Sequence, residues 1–279
     1  MKRVLFIILA VLAISCGSHQ EMIKVAIITG ENDKSYDPNV LQKHLLALLE
    51  ENPTFVTDTI RYTSKEEFAP KFTDYNVIIL NLNPNSPWSD ATKLSFEQYM
   101  AGGGGLVIIH ENNNNFPQWK EFNRMIGLGA WEGRTEKDGP FLYYKDGEFV
   151  RDYSPGDAGK HGSREPFTIY VRNSEHQIMR GLPLEWLHEF DELYGDMRGP
   201  AENITPLATA FSDAETGGTG KEELVMFTID YGKGRVFQTT LGHTTTTFDD
   251  SHKNRGFHVT LLRGIEWAAT GDVKQTVTF

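Results

Sequence analysis

Apolar runs and amphipathic segments alternate along the first 110 residues of the chain. The apolar runs are short and contain many β-branched residues, which is typical of buried strands. They predict strands at 23–29, 55–62, 77–82 and 106–109. Apolar residues recur at helical spacing in 39–51, and further helices are predicted at 65–72 and 90–101. Repeated strand–helix alternation predicts an α/β fold whose open, mostly parallel sheet carries helices on both faces.

The pattern changes after residue 115. A short helix is predicted at 119–126. The long segment 127–166 is rich in glycine, aromatic and charged residues. We expect it to form an ordered loop over the functional site, and we call it the cover. The later predictions are a strand at 167–171, a β-hairpin with arms at 224–229 and 235–241, and a closing helix at 257–270. The segment 188–194 fits a helix or a strand. With no internal repeat or linker, we expect one domain at 23–271 and a short tail at 272–279.

The N-terminal segment has a different character from the rest of the chain. Residues 1–3 are positively charged, 4–14 are apolar but too few to span a bilayer, and Cys16 follows among small residues. This pattern resembles a bacterial lipobox and predicts a signal peptide and lipoprotein tether at 1–22, with Cys16 lipidated. The alternative is an ordinary signal peptide with an incidental cysteine. Both interpretations predict an exported protein, and a lipidated one would be a periplasmic or outer-membrane lipoprotein.

Composition narrows the classes of partner and of chemistry. Cys16 is the only cysteine, so the predicted domain contains neither a disulfide nor a thiol nucleophile. Lys and Arg number 27 against 38 Asp and Glu, a net charge of −11. This argues against a nucleic-acid partner, because phosphate backbones attract basic surfaces. It is compatible with a neutral small molecule, although acidity also serves solubility alone. We expect membrane contact only through the lipid anchor, and the oligomeric state stays open.

The fourth predicted strand is followed directly by residues that can carry chemistry. The segment 102–116 reads GGGGLVIIHENNNNF. In open α/β sheets, ligands bind outside the carboxyl ends of the strands, where His110 falls. His110 is therefore a candidate general base or metal ligand, with a structural hydrogen-bonded histidine as the alternative. The neighbouring candidates for substrate binding are Glu111, Asn112 and Asn113.

Polar residues in the second half supply further candidates. His243 ends the second arm of the predicted hairpin. His188 and Glu192 would share a face on a helix or on a strand, whereas Asp191 and Glu192 cannot both point into one site. A solvated charge cluster is the alternative interpretation. The substrate-binding candidates of this half are Asp191, Tyr194 and His161.

Metal binding is an open alternative at this point. His161 lies in the predicted cover and could complete a histidine cluster with His110 and His243. Catalytic zinc takes three protein ligands and a water molecule. Histidines so far apart in sequence do not by themselves establish a metal site. The sequence therefore leaves the cofactor unknown, and a divalent ion such as zinc is one possibility.

Several stretches resemble the trehalose-utilisation (ThuA-like) family, which has a fold like that of class I glutamine amidotransferases. They cover nearly all of the predicted domain in order: KVAIITGEND, GGGGLVIIHENNNNFPQW, FNRMIG, HGSREPFTIYV, HQIMRGLP, DELYGDMRGP, YGKGRVFQTTLGH and LLRGIEWAA. The resemblance places His110 in the turn that holds the amidotransferase cysteine, and His243 at a late histidine. Without a cysteine in the domain, glutamine hydrolysis through a thioester is excluded.

The family is associated with the use of disaccharides, particularly those oxidised at C3 to keto-sugars. The resemblance therefore implies a small carbohydrate as the partner. We expect an enzyme that uses acid–base or metal-assisted chemistry, with His110 as the base or ligand, His243 as its partner and Glu192 as the acid or orienting carboxylate. The alternative is a surface-anchored sugar-binding protein without catalysis.

Overall fold

The computed structural model describes residues 21–30, 38–82, 84, 86–249 and 254–276. The predicted signal peptide, with Cys16, lies outside these residues apart from 21–22, and so does the end of the predicted tail at 277–279. Among the helices of the described residues, none is long and apolar enough to cross a membrane.

An eleven-stranded mixed sheet forms the centre of the described domain, and a two-stranded sheet lies beside it. The strands are β1 (Ile23–Thr29), β2 (Phe55–Arg61), β3 (Val77–Asn81), β4 (Gly105–Ile109), β5 (Phe141–Lys145), β6 (Glu148–Asp152), β7 (Lys160–His161), β8 (Glu165–Val171), β9 (Glu185–Asp191), β10 (Tyr194–Gly195), β11 (Ile204–Phe211), β12 (Glu222–Tyr231) and β13 (Gly234–Thr239). The order of the large sheet is β2-β1-β3-β4-β13-β12-β11-β8-β9, with β5 also paired to β12 and β6 paired to β5. Neighbours from β2 to β13 run parallel, and the remaining pairs are antiparallel.

Helices cover both faces of this sheet, which confirms the predicted α/β class. They are α1 (Pro38–Leu49), α2 (Asp90–Ala101), α3 (Lys120–Ile126), α4 (Thr245–Asp249) and α5 (Arg255–Thr270). Successive residues of β1 point to opposite faces, so Val25 and Ile27 pack with α1 and α5, while Ala26 and Ile28 pack with α2 and α3. The two resulting apolar layers hold the parallel strands rigidly and fix where their carboxyl ends lie.

Close packing explains part of the glycine run before β4. A Cβ atom on Gly104 would lie 2.3 Å from the ring of Tyr99, and one on Gly105 would lie 2.5 Å from the carbonyl oxygen of Ala268. Glycine therefore lets α2 and α5 approach the start of β4 from opposite sides of the sheet.

The structure contradicts the sequence prediction in one segment and adds detail in two others. The predicted helix at 65–72 is wrong: the chain makes turns there, and Phe68 and Phe72 bury their rings against Trp88 instead. The predicted cover is ordered and contains the hairpin β5–β6. The segment 188–194 lies mainly on strand β9, and the antiparallel part of the sheet extends well beyond the predicted hairpin.

A buried glutamate beneath β10 makes stability depend on pH. Glu223 on β12 is 2% exposed and accepts a hydrogen bond from the hydroxyl of Thr219 at 2.7 Å. Burial raises its pKa from 4.5 to about 7, with the hydrogen bond from Thr219 opposing the shift. Because the folded-state pKa exceeds the unfolded value, its stabilising contribution is full below about pH 4.5 and is lost as the pH rises through 7.

Replacing Glu223 by glutamine should therefore flatten the pH dependence of stability. The rise in the pKa of Glu223 on folding corresponds to about 3 kcal/mol of folding free energy, which is lost between low pH, where the carboxyl is protonated, and high pH, where it is ionised. We expect urea unfolding at pH 5 and pH 8 to show a free-energy difference smaller by about 2–3 kcal/mol in Glu223→Gln than in the wild type. Glu148→Gln, at an exposed position on β6, is the control. Equal pH dependence in all three proteins would contradict the assignment.

Candidate active site at the carboxyl edge of the sheet

The candidate site begins at the sharp turn that follows β4. His110 has a φ of +46°, in the left-handed region, and opens a 3₁₀ turn at His110–Asn114. Asn112 holds this turn in place, because its Oδ1 accepts the backbone N–H of Leu82 at 2.8 Å, just beyond β3. The turn thus directs the His110 side chain across the end of the neighbouring strand β13.

Parallel pairing of β4 with β13 places Ile109 beside Thr239, so His110 lies next to Thr240. The Nδ1 of His110 donates a hydrogen bond to the carbonyl oxygen of Thr240 at 2.6 Å. This contact fixes the proton on Nδ1 and leaves Nε2 as the free acceptor of the ring. The His110 Nε2 lies 2.8 Å from the Nδ1 of His243, three residues beyond Thr240.

Glu192 reaches the same point from the opposite border of the sheet. Three successive antiparallel pairings between β12 and β9 make β9 run in the same direction as β13, so both strands end at the same edge. Trp186 of β9 packs directly on Gly256 of α5, which fixes the position of β9 against that helix. A Glu192 oxygen, Oε2, consequently lies 3.3 Å from His243 Nδ1 and 3.6 Å from His110 Nε2.

Asp191 builds the support beneath this cluster. Its side chain is fully buried, and its Oδ2 contacts His188 Nε2 at 2.9 Å. Three backbone N–H groups also donate to the carboxylate, from Glu192 at 2.9 Å, Gly242 at 2.8 Å and His243 at 3.0 Å. Burial alone would raise the pKa of Asp191, but the hydrogen bond and charge of His188 outweigh it and lower the pKa to about 2. Asp191 thus ties β9 to the loop that carries His243.

The local electrostatics favour a carboxylate flanked by a neutral imidazole. Burial raises the pKa of Glu192, but the close contacts of its carboxylate with His110, His243 and His161 outweigh burial, so that the pKa lies below its usual value. Burial and the neighbouring His110 lower the pKa of His243 to about 4, with Glu192 opposing. At neutral pH, Glu192 is therefore ionised and His243 is uncharged.

The solvent side of the cluster is formed by the cover and by β10. Pairing of β7 with β10 places His161 opposite Tyr194, and His161 Nδ1 lies 3.3 Å from the second Glu192 oxygen, Oε1. The rings of Tyr194 and His110 are 4.0 Å apart between centroids. Trp131 packs edge-on against Tyr194. The His161 side chain is 45% exposed, against 2% for His110, so the site opens towards His161.

Arg164 is a site residue that the sequence did not single out. Its Nη2 donates a hydrogen bond to His243 Nε2, and its Nε lies 3.8 Å from Glu192 Oε1. In the sequence it was merely a neighbour of His161, with no spacing or pattern to mark it.

The structure brings together His110, His161, Glu192, Tyr194 and His243. Glu111 is half-buried and close enough to raise the pKa of the Tyr194 phenol, which burial raises first. The other substrate-binding candidates are fully buried and make internal contacts: Asn112 to Leu82, Asn113 to Met197, and Asp191 as described. These three side chains support the site from behind rather than line it.

The cluster can hold a divalent cation. His110, Glu192 and His243 each offer a ligand atom, and these atoms lie within 4.8 Å of one another. Two imidazoles and one carboxylate form a ligand set found in catalytic zinc sites. The Nδ1–H of His110 donates to a carbonyl, which is the usual arrangement behind a ligating histidine. The geometry therefore serves proton transfer or cation binding.

Comparisons with known proteins agree with this fold. A family model for trehalose utilisation (ThuA) matches residues 24–268. A ThuA-like protein from Parabacteroides merdae is 42% identical over 92% of this chain and 93% of its own, with a TM-score of 0.85. A ThuA-like protein from Bacteroides uniformis has the same fold at 18% identity, over 92% of this chain and 96% of its own, with a TM-score of 0.63. The comparison with curated proteins gives no match.

Proposed function

Because this chain belongs to the trehalose-utilisation (ThuA) family, whose role is carbohydrate utilisation, we propose that it is an enzyme acting on a keto-sugar or disaccharide derivative. One observation carries the proposal. His110, Glu192 and His243 come from three separate strand ends and converge at the edge where α/β proteins bind ligands. A module that only binds sugar needs aromatic and amide groups but not converging titratable groups.

The proposed reaction uses the acidity next to a sugar carbonyl. In a glycoside oxidised at C3, a base removes the proton from C2, and the C–H electrons form an enolate with the C3 oxygen. When the C3 carbonyl re-forms, these electrons make a C1–C2 double bond and the glycosidic oxygen leaves C1. An acid protonates that oxygen. Addition of water across the double bond would complete a net hydrolysis without a covalent enzyme intermediate.

We assign the roles in this reaction from the solvent exposure of each side chain. His110 is only 1% exposed, so a substrate carbon cannot reach its ring, and we assign it to holding His243, whose Nδ1 lies 2.8 Å from its Nε2. Glu192 is ionised and has one oxygen towards the open side of the site, which suits the base. His161 lies beside that oxygen and is half exposed, which suits the acid that protonates the leaving oxygen.

The proposal is tested with a panel of 3-keto glycosides and the corresponding unoxidised disaccharides. We expect turnover of the keto compounds only, because without a carbonyl the C2 proton is not acidic. Saturable binding of any of these sugars without turnover would refute the enzyme and favour the sugar-binding protein.

Chelation distinguishes two versions of the same site. If the cluster works by proton transfer alone, prolonged dialysis against a chelator should leave turnover unchanged. Loss of turnover that is restored by zinc or another divalent ion would instead make His110, Glu192 and His243 ligands, with the cation supplying Lewis-acid stabilisation of the enolate oxygen. Metal content should be measured on the dialysed protein, since a tightly held ion could survive the treatment.

We further propose that the enzyme is exported and anchored through a lipid on Cys16. The sequence of residues 1–16 supports this proposal. Cys16→Ala should move the protein from the membrane fraction to the soluble fraction. The melting temperature should stay the same, because Cys16 precedes the domain matched by the family. A Cys16→Ala variant that stays in the membrane fraction would refute the anchor.

A further inference from the structure

We propose that Arg164 is a positioning residue that fixes the tautomer of His243 and thereby keeps the cluster in its proton-transfer form. The importance of this tautomer for catalysis rests on the proposed function. The tautomer itself is a property of the folded protein and is measurable without substrate.

A guanidinium group can only donate hydrogen bonds. Arg164 Nη2 contacts His243 Nε2, so this nitrogen must be the unprotonated acceptor of the ring. A neutral imidazole carries one proton, which must then be on Nδ1. The Nδ1–H of His243 points at His110 Nε2, 2.8 Å away, and at Glu192 Oε2, 3.3 Å away.

The hydrogen bonds of the cluster then form one chain of fixed direction. Arg164 donates to His243, His243 donates to His110, and His110 donates to the carbonyl of Thr240. Both ends of this chain are unable to reverse, because a guanidinium cannot accept and a carbonyl cannot donate. Arg164 and the Thr240 carbonyl together determine where each ring proton lies.

The backbone on either side of Arg164 is held so that its side chain enters the site. The N–H of Ser163 donates to the carbonyl of Thr216 at 2.9 Å. The hydroxyl of Thr216 in turn donates to the Glu165 carboxylate at 2.7 Å. Gly162 lies close against the same turn, where a Cβ would be 3.0 Å from the backbone nitrogen of Gly218. These contacts anchor 162–165 to the turn before β12.

This arrangement also opposes a cation in the cluster. A cation bound at His243 Nδ1 needs the lone pair of that nitrogen, which moves the ring proton to Nε2. Nε2–H and the Arg164 guanidinium would then be two donors facing each other. The positive charge of Arg164 repels a cation as well. Binding of a divalent ion through His243 therefore requires the Arg164 side chain to withdraw.

The tautomer is tested by long-range ¹H–¹⁵N correlation spectra of the histidine rings in the uniformly labelled, substrate-free protein at neutral pH. We expect the Nδ1–H pattern for His243 in the wild type, assigned with His243→Gln. Arg164→Ala should shift His243 part of the way towards the Nε2–H form, because only the two acceptors at Nδ1, His110 Nε2 and Glu192 Oε2, then still favour the Nδ1–H form. Arg164→Lys, which keeps a donor, should restore part of the Nδ1–H form.

Arg124→Ala is the matched control, because Arg124 is similarly exposed and pairs with Glu121 and Glu202 on the surface. It should leave the His243 pattern unchanged. An Nε2–H pattern in the wild type, or the same Nδ1–H pattern in Arg164→Ala, would overturn the proposal. Either result would leave the proposed enzyme function standing.

Zinc titration by calorimetry provides a second readout on the metal-free proteins. Arg164→Ala should bind zinc about tenfold more tightly than the wild type and Arg124→Ala, because the competing donor is gone and residues next to metal ligands change metal affinity by about 10–100-fold. Equal affinity in all three proteins would contradict the opposition between Arg164 and a cation. If the tautomer behaves as expected but no keto-sugar is turned over, the proposed function fails while the role of Arg164 stands.

Discussion

Glu192→Gln should lower the turnover number for a 3-keto glycoside by about 10²–10⁴, the usual contribution of one positioned general base. Glutamine has nearly the same shape and still offers an oxygen to His243, but it cannot take a proton from carbon. Because Glu192 is 7% exposed and Asp191 anchors its backbone N–H, we expect the fold to survive the change. Steady-state kinetics and thermal melting of the same preparation measure both effects.

The matched control is Glu185→Gln, at the exposed start of the same strand β9. It should change neither turnover nor melting temperature. Turnover of Glu192→Gln within about threefold of the wild type would contradict the role of Glu192 as the base. A large loss of melting temperature would indicate that the carboxylate supports the fold rather than the chemistry.

Asp191→Ala should produce the largest loss of stability near the site. The substitution removes one side of a fully buried pair with His188 and leaves the backbone N–H groups of Glu192, Gly242 and His243 without their acceptor. Breaking a buried, hydrogen-bonded charge pair from one side costs about 3–5 kcal/mol. For a domain of this size, that corresponds to a decrease in melting temperature of roughly 6–20 °C.

Urea unfolding of Asp191→Ala and the wild type measures this free energy directly. Asp230→Ala is the control, because Asp230 is exposed near the end of β12. It should change the free energy of unfolding by less than about 0.5 kcal/mol. A similarly small change in Asp191→Ala would show that the carboxylate does not join β9 to the His243 loop.

The parallel half of the fold could be predicted from the sequence because its strands are buried on both faces. Such strands are continuous apolar runs, and the rule that ligands bind at their carboxyl ends placed His110 at the site. The prediction of a helix at 65–72 is wrong, because Phe68 and Phe72 are buried in an aromatic cluster with Trp88 and not on the apolar face of a helix. Local periodicity does not report contacts with distant residues such as Trp88.

The rest of the site depends on long-range geometry that a single sequence does not contain. Side chains alternate along a strand, so the sequence already predicted that Asp191 and Glu192 point in different directions. In the structure, Asp191 contacts His188, whereas Glu192 contacts His243. The position of Arg164 could not be predicted in this way. The direction of its side chain depends on the hydrogen bond between its neighbour Ser163 and Thr216, which is far away in the sequence. The proximity of His161 to Glu192 likewise follows from pairing of the cover with β10.

In the proposed reaction, Glu192 removes the C2 proton of a 3-keto sugar. Proton NMR of a 3-keto glycoside incubated with the enzyme in D₂O tests it most directly. We expect deuterium at C2 of the product or of recovered substrate, at a rate that falls by about 10²–10⁴ in Glu192→Gln and is unchanged in Glu185→Gln. A product that keeps its original C2 hydrogen, or saturable binding with no exchange, would contradict it.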